Sequence, residues 1–312
     1  MTGLELAREF YQACRPTLYE RLPDVMPMAC AGLCGEGSEC FGCDDAASQD
    51  HDFSASFCLW LPQELLAAQG ERIAAVFRDL PKSFRGFAAD FPQHMANRRG
   101  PRSIEDYYFF FTGLERSPEG WREWLALPET QLACAVNGEV FEDNAGLFTA
   151  RRAALLAYYP EDVRLKKLAA RCMQMAQAGQ YNLPRCLARG EHAAALLALG
   201  RFAESALSFV FLINRAYMPF YKWAPRLGRQ LPELGPELGR MLAAIGGTAV
   251  ADQNNRKLVG SVENFCAACA QWLYQHGISP IDDSWLWEHG PAIISRVRTP
   301  ELRELDLLQD SL

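Results

Sequence analysis

Near residue 150 the pattern of apolar residues changes period, and no single kind of packed layer accommodates both halves. Before that point short apolar runs alternate with turns. After it, apolar residues recur at three- and four-residue spacings, which is the period of helices. Residues 25–34 and 53–61 read as strands, and 131–141 as a strand or hairpin whose turn is Asn137-Gly138, a dipeptide suited to positive φ. Helical periodicity lies between them at 4–22, 62–79, 104–112 and 119–126, and residues 91–102 read as an exposed loop. Beyond residue 150 the helical segments are 151–157, 163–177, 186–199, 202–214, 234–245 and 256–276. An α/β head of mixed sheet and flanking helices (1–150), followed by an all-α bundle (151–312), is the expected architecture.

A length of 312 residues suits two domains of ordinary size. With 38 acidic against 31 basic residues the net charge is −7, which argues against extended nucleic-acid binding, a property that rests on clustered Lys and Arg. Glu5, Arg8 and Glu9 interrupt the start of the chain where a signal peptide needs an apolar run, and the most apolar stretch, 206–213, is short of a membrane span. A cytoplasmic location is the expectation. The eleven cysteines then read as reduced thiols rather than a disulfide framework.

The chemistry concentrates between Ala31 and Phe53. Asp50 and Asp52 are two apart at the head of an expected strand, so both carboxylates share a face. Two like charges so close repel unless a divalent cation neutralises them, and Mg²⁺ suits one or two carboxylates with substrate phosphates completing its shell. Upstream, a buried strand runs into Gly35, Gly37 and Ser38. Glycine lets backbone approach a phosphate, and a hydroxyl with free N–H groups at a helix start can bind its oxygens.

Gly37-Ser38, a gap of about a dozen residues, then Asp-x-Asp resembles the signature of DNA polymerase β-type nucleotidyltransferases. The chain is more closely similar to a bacterial branch of that superfamily with a helical C-terminal domain. Gly-Ser-Glu-Cys-Phe-Gly at 37–42, Asp-His-Asp-Phe at 50–53 and Asn-Gly-Glu-Val-Phe at 137–141 carry that likeness. So do the runs at 158–167, 179–182 and 214–223. The resemblance implies transfer of a nucleoside monophosphate, AMP from ATP, with Mg²⁺, to a small-molecule or protein acceptor that it does not identify. The alternative is a nucleotide-binding regulatory or partner-binding protein without transfer. It also implies a third carboxylate for metal or for the attacking hydroxyl. Glu142 and Asp143 compete for that place on opposite faces of a strand, and the branch pattern implies Asp143.

The helical half supplies cations. Arg164, Lys167 and Arg171 fall on one helix face, read here as a solvated one. Lys222 lies among the aromatics of 217–223; it is read either as a phosphate ligand or as an ammonium snorkelling to solvent over them. The Cys-x-x-Cys pairs at 40–43 and 266–269 are discounted as zinc halves, the first lying in the glycine loop and the second on an apolar helix face.

Overall fold

A computed structural model describes residues 1–45, 54–89, 99–247 and 256–309. The elements, in chain order, begin with α1 (Gly3–Arg21), β1 (Cys30–Leu33), β2 (Cys58–Leu61), α2 (Gln63–Asp79), β3 (Ser83–Phe84), β4 (Phe87–Ala88) and β5 (Gly100–Ser103). Then come α3 (Ile104–Thr112), α4 (Gly120–Ala126), α5 (Glu129–Val136), β6 (Glu139–Asp143) and α6 (Leu147–Leu156). The remainder is helical: α7 (Glu161–Met175), α8 (Leu183–Ala188), α9 (His192–Ile213), α10 (Ala224–Gly228), α11 (Gly235–Gly247), α12 (Arg256–Gln275), α13 (Leu286–Ile294) and α14 (Pro300–Arg303). Two compact units emerge, Met1–Pro118 with Gln131–Ala157, and Glu119–Thr130 with Tyr158–Leu312. The break expected at 150 falls inside α6, and a dozen residues ahead of it are counted with the second unit.

In the first unit a small mixed sheet runs β5-β2-β1-β6. Strand β1 is antiparallel to both β2 and β6, while β2 and β5 are parallel. Every residue of β1 and β2 is buried: β1 lies in the run that reads as a buried strand, whereas 53–61 reads as a strand of mixed burial and its strand residues are buried throughout. One face carries Ala31, Leu59 and Leu61 against Leu6, Phe10 and Leu18 of α1 and Ile73 and Phe77 of α2. The other face presents Trp60, stacked on Phe148 of α6 at 4.2 Å and edge-on to Tyr107 of α3. Gly32 sits where β6 crosses closest: a Cβ there would meet the Glu139 carbonyl 2.5 Å away.

Helix α1 begins with a capping box of Thr2 and Glu5, the sequence signal for a helix start. Residues 131–136, expected as strand, belong to helix α5. The run Gln-Leu-Ala-Cys-Ala-Val is short and apolar with two alanines, a case where periodicity does not separate strand from helix and Ala favours helix. Residues 100–102, expected in an exposed loop, instead belong to the edge strand β5, where Pro101 is tolerated.

The second unit is built round α9, against which α7, α8, α10 and α11 pack, while α13 lies along α7 and α12 along α11. Helix α9 is long and apolar enough by composition to cross a membrane, and most of its apolar stretch is buried within this unit. Helix α7 widens at its end into a π-helical turn, Ala176–Asn182. Gly179 in that turn has no room for a Cβ, because the Phe202 ring of α9 lies against it.

Candidate functional site

The loop after β1 is held from three sides. Gly35, at φ +119°, takes a conformation open to glycine. Its N–H donates to Asn137 Oδ1 at 2.8 Å and its carbonyl accepts from Asn137 Nδ2 at 2.6 Å. Gly138 N–H then donates to the Cys40 carbonyl at 2.9 Å. The Asn137-Gly138 dipeptide therefore does not turn a hairpin; it clamps the glycine loop as β6 begins. On the third side, Gly3 N–H of α1 donates to Asp44 Oδ2 at 2.7 Å, and Cys40 is buried with Ala7 and Leu33.

Within the loop, Ser38 precedes a single 3-10 turn, Glu39–Phe41, closed by left-handed Gly42. The Ser38 carbonyl accepts from Phe41 and Cys43. Among the described residues the Ser38 hydroxyl and the N–H groups of Gly37 and Ser38 have no partner. Beside them the Glu39 carboxylate forms an ion pair with Arg99, and Arg99 Nε donates to Ser56 Oγ at 3.0 Å. This guanidinium is 7% exposed, so the pair is shielded from water. It ties the glycine loop to the segment entering β2. A Cβ on Gly37 would meet the Glu39 carboxylate, so a side chain there requires that carboxylate, held by Arg99, to shift.

Asp50 and Asp52, with His51 between them, lie outside the described residues. Among the described residues no group of three or more His, Cys, Asp or Glu gathers so as to hold a metal ion.

Strand β6 separates the remaining carboxylates. Its register sets Glu139 opposite Leu33, at the loop end of β1, and Asp143 opposite Cys30, at the far end. Asp143 accepts from Gly146 N–H at 3.0 Å and from the Thr149 N–H and hydroxyl at 2.8 and 2.7 Å, so it organises the start of α6. Glu142 turns to the opposite face and receives Tyr11, Arg15 and Tyr19. The hydrogen bond from Arg15 is the main cause pulling its carboxyl down to about 2, against opposing desolvation and with help from both tyrosines. Glu139 pairs with Arg8 of α1. Sequence reasoning passed over Glu139, Arg99 and Glu39. The available signal was position: Glu139 opens the strand directly after Asn137-Gly138, on the side where β1 ends.

The cations of the second unit correct an expectation. Arg164, Lys167 and Arg171 are buried, at 4%, 0% and 0% exposure, rather than solvated. Their spacing marks one helix face, and that face turns inward: Arg171 meets the buried Glu129, while Arg164 pairs with the half-exposed Glu161 one turn earlier on α7. Lys167 stands over the Tyr159 ring at 5.3 Å. Lys222 is exposed, its ammonium 5.1 Å from the Trp223 ring centroid, which is the snorkelling geometry. The cysteines are free and all but Cys186 are buried; burial pushes the thiols of Cys34 up to about 12 and Cys58 to about 11.

The chain is thus a mixed α/β protein with a small mixed sheet and about 62% helix, a head with a glycine loop joined to a helical unit. A family profile described as a domain of unknown function, DUF4037, matches residues 124–224. No curated protein and no solved structure matches the chain. The matched segment contains the strings at 137–141, 158–167, 179–182 and 214–223 singled out above.

Proposed function

We propose that the head is a nucleotidyltransferase that moves a nucleoside monophosphate, AMP from ATP, onto a small-molecule or protein acceptor. The observation that carries this reading is the loop: unpartnered Gly37 and Ser38 N–H groups and a Ser38 hydroxyl, on a turn braced by Asn137, Arg99 and Glu39. Such a set is chemically suited to phosphate oxygens, and bracing lowers the cost of holding it ready. Asp50 and Asp52 are the proposed Mg²⁺ ligands. The described carboxylates do not offer the ion a ligand set of their own, since Glu39 and Glu139 face arginines and Asp143 faces three donors. For the third acid, expected at Asp143, the register of β6 favours Glu139, which stands at the loop end of the strand and would have to exchange Arg8 for the ion to serve.

Calorimetry with MgATP tests this reading. Asp50→Asn and Asp52→Asn are expected to abolish metal-dependent binding with the fold intact. Ser38→Ala is expected to cost about 1–2 kcal/mol, the worth of one hydrogen bond to a charged acceptor. Equal affinity in wild type and all three variants would sink the assignment. The pairing of Glu39 and Glu139 with arginine also fits a protein that binds nucleotide and transfers nothing. Transfer of label from ATP to an added acceptor separates the two.

A further inference from the structure

A groove of about 610 Å³ opens in the second unit between the end of α7, its π-helical turn, α8, α9 and Leu308. That volume is in the range of small-molecule sites, about 300–1,000 Å³, and π turns recur at functional positions. Its polar wall is fixed from behind. Gln174 Oε1 accepts from Arg171 Nη1 at 3.0 Å and from Ser205 Oγ at 3.2 Å. A guanidinium only donates, so the amide oxygen must face it and the two Nε2 hydrogens are left for the groove. Arg171 is itself locked by Ser208 and Glu129, all three buried, so this orientation is rigid.

Two charges complete the lining. Arg201 and Glu204 stand three residues apart on α9, a spacing at which opposite charges can pair, yet neither is bonded to any described residue. The Asn182 amide is likewise without a partner among the described residues. Between these groups lie Ala178, Leu197, Ala198 and Leu308, an apolar patch beside a divided charge.

We propose that this groove binds a small zwitterion of the amino-acid or dipeptide class. A carboxylate meets Arg201 and the Gln174 amide hydrogens, an ammonium meets Glu204, and an apolar side chain covers Leu197 and Leu308. A plain anion would face Glu204 unpaired and a plain cation would face Arg201, so the two charges together select a ligand carrying both. The site stands apart from the transfer reading and survives its failure.

Cys186 lines the groove and is the one cysteine of the eleven that is not buried, so its rate of reaction with a thiol reagent reports occupancy. The probes are the free proteinogenic amino acids and leucyl-leucine, against N-acetylleucine and leucine methyl ester, each at about 10 mM, a concentration that detects millimolar affinity. At least one zwitterion is expected to slow labelling about threefold or more, as mass action requires at that occupancy, and the blocked forms are not. Arg201→Ala and Glu204→Gln, both at exposed positions, are expected to remove the protection, each variant being compared with its own ligand-free labelling rate. The proposal is overturned if no zwitterion protects Cys186, if the blocked forms protect equally, or if protection persists in both variants.

Discussion

Glu142 shows how much one side chain can be asked to do outside a site. Three residues of α1 converge on its carboxylate, so it fastens the edge strand β6 to the helix. Its folded pKa, about 2, lies below the ordinary value of 4.5. The stabilisation is therefore fully present above pH 4.5 and is lost as pH falls from there towards 2. Arg15 is half exposed, which limits the effect: Glu142→Gln is expected to cost about 1–2 kcal/mol at neutral pH. Denaturant midpoints at pH 7 and near pH 2.5 check this; the gap between variant and wild type is expected to shrink at the lower pH, and a gap that stays constant would assign the effect to something other than the charge. Asp143, one residue on, has the opposite outlook and no part in that fastening.

At the scale of elements, the glycine loop and the Arg99–Glu39 pair behave as one part. Gly37→Ala drives a Cβ into a carboxylate that Arg99 holds in place, and overpacking of this kind costs about 1–3 kcal/mol. In a Glu39→Ala background the same change is expected to be nearly free, since the obstructing group is gone. Thermal unfolding of the two single variants and the double variant supplies the coupling; strict additivity would show that Glu39 is not what Gly37 makes room for. The sequence made some of this legible and hid the rest for identifiable reasons. Helices α1, α2, α3 and α12 were readable because capping signals and long periodic patterns act within the element. Helix α5 was not, because the five consecutive apolar residues 132–136 carry no period. Gly37-Ser38 stood out as a pattern, but its braces did not: Arg99 and Asn137 are brought to it by strand pairing across about 60 and 100 residues, a non-local fact that spacing cannot report. The inward turn of Arg171 was hidden for the same reason, its acid Glu129 being a tertiary partner 42 residues away.

For the whole molecule the consequence is that a cut at residue 150 separates residues 119–130 from the helical unit they cluster with. Glu129 belongs to the second unit and, fully buried, neutralises Arg171 there while accepting from Ser208 at 2.7 Å. A fragment of residues 151–312 lacks that acid and leaves a buried guanidinium without its counter-charge, a loss on the order of 3–5 kcal/mol. Such a fragment is expected to be aggregated or molten by circular dichroism and hydrogen exchange, whereas one of residues 119–312 should retain the helical unit's ion pair and unfold cooperatively. Equal cooperativity in both fragments would show that the 119–130 segment is dispensable to the unit.

The same interleaving sets an order on the ribosome. Strands β1, β2 and β5 emerge first, then the chain lays down residues destined for the other unit, and only afterwards does β6 appear. Until residue 143 has been translated, the outer edge of β1 has no neighbour and Gly35 has no Asn137 to clamp it. An unpaired, wholly apolar strand edge is a template for association with other chains. Synthesis thus exposes an aggregation-prone edge of the head while the glycine loop is still loose, and the arrival of a single five-residue strand closes both at once.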